Sequence, residues 1–167
     1  ISANFYSGLK APFGFPLNPA KWTAETISTV QAKKITPVSG TWYGDTGLSA
    51  TGPSLSIPIG EWTVTIDGSM ATTHATTGDV NPVIFSTLST ASNSESDSNW
   101  TSYTQIQANQ AAATGLTQQT PFHRGRSISR ASKQTYYLNV KMIGTATNIL
   151  LSGDASPTII RAVSAYL

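Results

Sequence analysis

Cysteine is absent from all 167 residues. That removes a disulfide framework, a thiolate zinc site and a cysteine nucleophile together. Histidine occurs twice, as His74 and His123, and neither sits in an H-x-H or H-E-x-x-H spacing that would offer two imidazoles to one metal. Charged residues make up 11 % of the chain and the net charge is +2, so there is no broad basic field of the kind that draws nucleic acid. No apolar run approaches the roughly 20 residues of a membrane span, and no signal-peptide pattern stands at the start. G-x-S-x-G, the P-loop and G-x-G-x-x-G are all missing. The first residue is Ile1 rather than methionine, which reads as a piece of a longer protein.

What is abundant is hydroxyl: 21 serines and 24 threonines. Threonine favours strands and serine favours turns, so solubility here comes from hydroxyls and amides on an all-β chain. With 39 % apolar residues over this length, one domain with a real core is expected.

The last eleven residues organise that expectation. Ile159, Arg161, Val163, Ala165 and Leu167 alternate with Ile160, Ala162, Ser164 and Tyr166, and both sides are mostly apolar, which suits a strand inside a sheet. Earlier segments should supply its partners. Residues 1–20, with Phe5, Tyr6, Phe13 and Phe15 among glycines and prolines, read as an irregular arm or shaft-to-head linker, and 21–167 as the head. Thr26 to Lys33 and Ile35 to Tyr43 read as strands, the second broken by Pro37 and so at an edge or bulge. Gly44 to Pro53 reads as a loop.

Leu55, Ile57 and Ile59 alternate with polar residues up to Gly60-Glu61, and Trp62, Val64 and Ile66 alternate beyond it, which predicts a hairpin across 55–73. Asn81 to Thr90 is a further strand, Ala91 to Asn99 an exposed polar loop, and Thr101 to Gly115 a strand running into a loop. Thr135 to Ile143 is a strand with Tyr136, Leu138, Val140 and Met142 on one face. Asn148 to Leu151 is another, followed by a turn. About eight to ten strands without helices predict two packed antiparallel sheets, a β-sandwich or jelly roll.

Candidate chemistry gathers at one place, H-R-G-R-S-I-S-R over 123–130. Arg124 and Arg126 at alternate positions could project together onto a carboxylate, phosphate or acidic sugar. The competing expectation is a solvated loop, or pairing with Asp154 or Glu61. His123, Arg124, Arg126 and Arg130, together with Trp100 as an exposed stacking platform beside the polar loop, form the candidate ligand-binding set. Glu95 and Asp97 are the one close carboxylate pair. A serine loop holds them poorly for glycoside hydrolysis, and no catalytic residue is assigned. Asn93, Glu95, Asp97 and Asn99 offer oxygens at alternate positions but without the spacing of a known calcium loop. No metal and no cofactor is expected.

Three passages carry a resemblance. S-I-P-I-G-E-W-T-V-T-I-D-G (56–68), T-Y-Y-L-N-V-K (135–141) and the closing T-I-I-R-A-V-S-A-Y-L resemble the hairpin, central strand and terminal strand of trimeric jelly-roll heads. Such heads include tumour-necrosis-factor-like and complement-type domains and the C-terminal knobs of bacteriophage tail needles and tail fibres. The resemblance covers about a quarter of the chain. It implies a homotrimeric knob mounted on a shaft, and a non-enzymatic virion tip on the tail, outside the cell. Its partners would be its own copies, the remainder of the tail machine, and a host cell-surface glycan or outer-membrane component, with no nucleic acid. The long aromatic arm and the H-R-G-R cluster map onto no motif of such heads. The alternative is a carbohydrate-binding β-sandwich module of a secreted protein, with Trp22 and Trp100 stacking on sugars. A glycan hydrolase or esterase fragment, resting on Glu95 and Asp97, is the enzyme-class reading.

Overall fold

The structure, a computed structural model, describes residues 23–73, 82–105, 117–153 and 155–164. Eleven strands form among them. They are β1 (Thr23–Ser28), β2 (Ala32–Ile35), β3 (Trp42–Tyr43), β4 (Ser54–Ile57), β5 (Gly60–Thr73), β6 (Val83–Ser89), β7 (Ser102–Gln105), β8 (Thr117–Arg130), β9 (Gln134–Ile143), β10 (Asn148–Leu151) and β11 (Thr158–Ser164). A 3-10 turn, Ser98–Trp100, precedes β7. All pairings are antiparallel, and the result is a β-sandwich of a six-stranded and a five-stranded sheet.

Each sheet is built on one long strand whose far edge is shared between two shorter ones. In the first sheet β5 pairs along its full length with β8, from Gly60↔Arg130 to Thr73↔Thr117. Its other edge takes β11 opposite residues 62–67 and β10 opposite 70–73. In the second sheet β9 pairs with β6 on one edge, and with β4 and then β3 on the other. The even-numbered residues of β5, Trp62, Val64, Ile66 and Met70, meet Leu138, Val140 and Met142 of β9 in one core, with Ile84, Leu88, Ile149 and Ile160 filling it. Period-two alternation puts these apolar side chains inward on both sheets.

Several expectations stand. β6, β9 and β10 lie where alternation put them, 44–53 holds no strand, and β11 sits between β1 and β5. Its two faces differ: Ile160 and Ala162 are buried, whereas Arg161 pairs with Glu25 on the outer face and Val163 is exposed.

Other expectations are corrected. β4 and β5 are not a hairpin, because β4 belongs to the second sheet and β5 to the first. Pro58 has no N–H to give a ladder, and Gly60 takes a φ of 124°, so the chain turns a corner between sheets. Both alternating runs still face the same core, which is why their pattern resembles a hairpin. Thr26 to Lys33 is not one strand but the end of β1 and the start of β2, with Val30 exposed in the turn. Ile35 to Tyr43 keeps only Ile35, the end of β2, and the two residues of β3, because Thr36 at φ 48° before Pro37 ends β2. The aromatic arm of residues 1–20, Trp22, His74, Asp154 and the final three residues lie outside the described residues.

Candidate functional site

Residues 117–130 form the 14-residue strand β8, so the basic cluster is not the solvated loop of the competing expectation. Alternation along it divides the basic cluster. Arg124, Arg126 and Arg130 share one face with Phe122 and Ile128, which stand opposite Gly68 and Trp62 of β5. His123 points to the other face, where its Nδ1 meets the Asp67 carboxylate in an exposed pair. The histidine is therefore separated from the arginines by the thickness of the sheet.

The arginine face is met by the 90–100 connection between β6 and β7. Arg124 donates from Nε and Nη2 to the Asn99 carbonyl at 3.1 and 2.9 Å. Arg126 donates from Nη1 to Asp97 Oδ2 at 2.9 Å, taking Asp97 rather than Glu61, and its guanidinium lies 5.7 Å from the Trp100 ring centroid. Trp100 is not an exposed platform: it is 2 % accessible and belongs to the core. The apolar ring fills the gap between the sheet edges while the arginine covers its outer side.

The connection is also not a loose serine loop. Asn139 of β9, fully buried, donates to the carbonyls of Ala91 and Ser94 at 2.9 and 2.6 Å and accepts from the Asn93 amide. Asn93, at a φ of 58° that asparagine tolerates, accepts from the Gly44 amide and donates to Thr46 Oγ1. Asp97 caps the 3-10 turn by accepting from the Asn99 amide at 2.9 Å. That backbone hydrogen bond, then the Asn99 side chain and Arg126, hold the Asp97 carboxyl below the usual carboxylate range against a smaller opposing cost of burial. Glu95 accepts from Thr101 Oγ1. Of the four oxygen-bearing side chains, Asn93 and Glu95 thus serve partners outside the set, while Asn99 donates to Asp97. Among the described residues no group of three or more His, Cys, Asp or Glu converges.

Between this connection and the end of β8 lies a cleft of about 330 Å³. Arg126, Arg130, Tyr136 and the Asp97 carboxylate form its walls, with Trp100 and Ile128 as its apolar lining and Thr90, Ser96 and Ser129 bringing hydroxyls. Arg130 lies 5.9 Å from the Tyr136 ring centroid. Its Nε–H is buried with no hydrogen-bond partner among the described residues. Of the five sequence candidates, Arg126, Arg130 and Trp100 meet at this cleft, Arg124 braces the connection beside it, and His123 is elsewhere. Tyr136, Ser96 and Thr90 were missed. The first reads as a core residue, and nothing local in the sequence brings 90–97 against β8.

Such a cleft can take a small anionic group. Two guanidinium groups give a planar donor array for a carboxylate or phosphate, and the hydroxyls and ring faces suit the remainder of a sugar. The half-exposed Asp97 neutralises one of the two cations, leaving Arg130 without a carboxylate partner among the described residues.

No family model matches the chain, and no curated protein matches it. Among solved structures it is similar to chains of infectious bursal disease virus. For the Gx strain the identity is 10 % and the TM-score 0.41, over 94 % of this chain and 36 % of that one. For the Gt strain they are 12 % and 0.39, over 94 % and 41 %. For the VP2 subviral particle they are 12 % and 0.32, over 93 % and 42 %. The chain spans less than half the length of each. At these scores the likeness carries nothing about role, and the antiparallel sandwich is established by the strand pairing itself.

Proposed function

We propose that this chain is a non-enzymatic attachment head, the tip domain of a phage tail needle or tail fibre, that holds an acidic group of a host-surface glycan in the Arg126–Arg130 cleft. The observation that carries the binding role is Arg130: a guanidinium on the wall of a cleft, with no carboxylate partner among the described residues. An anion in the cleft would supply that partner. The virion setting is supported by the resemblance of three strands to trimeric knobs, and by a cysteine-free, hydroxyl-rich sandwich suited to a rigid external head.

A non-enzymatic role is supported by the state of the one close carboxylate pair. Glu95 is engaged by Thr101, and Asp97 by Asn99 and Arg126. Three copies on one head would convert weak single contacts into firm attachment to a repetitive surface.

Two measurements test the reading. A labelled chain on a glycan array should bind glycans carrying carboxylate or phosphate, and Arg126→Met with Arg130→Met should abolish that binding. Binding that survives both substitutions contradicts the cleft assignment. Sedimentation equilibrium should give close to three times 17.6 kDa. A single-chain mass removes the trimeric knob and leaves the secreted carbohydrate-binding module as the setting for the same cleft.

A further inference from the structure

The outer face of the second sheet carries a feature unrelated to the arginine cleft. Cross-strand register places Trp42, Lys141, Phe85 and Tyr103 in one row across β3, β9, β6 and β7. Odd-numbered positions of β9 face outward, since Tyr136, Leu138, Val140 and Met142 fill the core. Trp42 and Phe85 meet edge to face with centroids 6.5 Å apart, and Phe85 and Tyr103 lie 5.7 Å apart. Lys141 Nζ sits in the angle between the first two rings, 4.4 and 4.7 Å from their centroids. Tyr103 is 71 % accessible and Ile143, in the next row beside Val83, is 48 % accessible.

The occupant is indicated by what surrounds this row. Lys141 is the one charged side chain among the outward positions of the described strands of this sheet, and no described carboxylate lies within ion-pair distance of it. The local field is therefore that of a cation stripped of part of its water by two rings, and it selects an anion. A single cation does not track a nucleic-acid backbone, which needs a line of them. An apolar aromatic floor with a lone cation fits a pyranose ring bearing an acidic group. C–H faces lie on the rings and the acid meets Lys141.

We infer that the Trp42–Lys141–Phe85–Tyr103 row is a binding surface for acidic saccharides, separate from the arginine cleft and independent of it. The test uses the chain carrying Arg130→Met, so that the cleft does not contribute. It is titrated with tri-galacturonate, 3'-sialyllactose and neutral maltotriose while the Tyr103 ring and Lys141 side-chain signals are followed by NMR. At least one acidic sugar should shift both sets of signals. Tyr103→Ala, at an exposed position that leaves the core untouched, should weaken it about tenfold. Lys141→Met, which keeps the aliphatic stem, should lower the acidic sugars to the level of maltotriose. Failure of both acids to shift these signals overturns the inference. So does binding that neither substitution changes, or a change in the particle's mass on Tyr103→Ala without any effect on sugars, which would make the face a contact between copies.

Discussion

Asn139, Asp97 and Trp100 decide the shape of the candidate site. Asn139 satisfies two carbonyls and one amide of the β6–β7 connection from a fully buried position. Asn139→Ala leaves those groups unpaired and should cost about 1–3 kcal/mol in urea unfolding. A Cβ at Gly44 would run into the Asn139 side-chain oxygen, so Gly44→Ala should disturb the same connection. Trp100 is a core residue, so Trp100→Ala should lower stability by about 3–5 kcal/mol. An exposed stacking residue would lose binding with no change in the melt.

Because Asp97 is held below the usual carboxylate range, its contribution is complete above a pH of about 3.9 and is lost as pH falls through its folded value. Asp97→Asn should remove this part of the acid destabilisation. The change should be no more than about 1 kcal/mol, since the pair with Arg126 is half-exposed. Melts at pH 7 and pH 3 measure it.

Strands with strict alternation and one apolar face are legible in the amino-acid pattern alone, as β6, β9 and the second run of 55–73 show. What alternation does not carry is the partner. Ile57 and Trp62 both point into the core, and the pattern is the same whether the chain between them makes a hairpin or a corner; the outcome is set by Pro58 and by Gly60 at φ 124°. Gly60→Ala should strain that corner and cost about 1–3 kcal/mol, read by urea unfolding. β8 was illegible because its inward positions carry three arginines where a strand facing a core carries aliphatics. These side chains lie at the sheet edge, where the guanidiniums reach past the core to the 90–100 connection. The concentration of basic residues over 123–130 is legible in the sequence. Its division into an arginine face and an opposed His123 is not, because it follows from a strand conformation that the composition hid.

The described residues form a sandwich whose two sheets meet at the β7–β8 side through Trp100 and the arginines, and the cleft is the place where that closure is incomplete. Its assignment as the site for an acidic glycan group rests on Arg130. The most direct measurement is therefore the Arg130 Nε–H resonance in a ¹⁵N-labelled chain titrated with tri-galacturonate and 3'-sialyllactose. That signal should move progressively downfield with at least one of the two, saturating together with binding measured by calorimetry, and should stay in place with maltotriose. An Arg130 Nε–H signal that remains fixed while a sugar binds elsewhere on the chain would contradict the assignment.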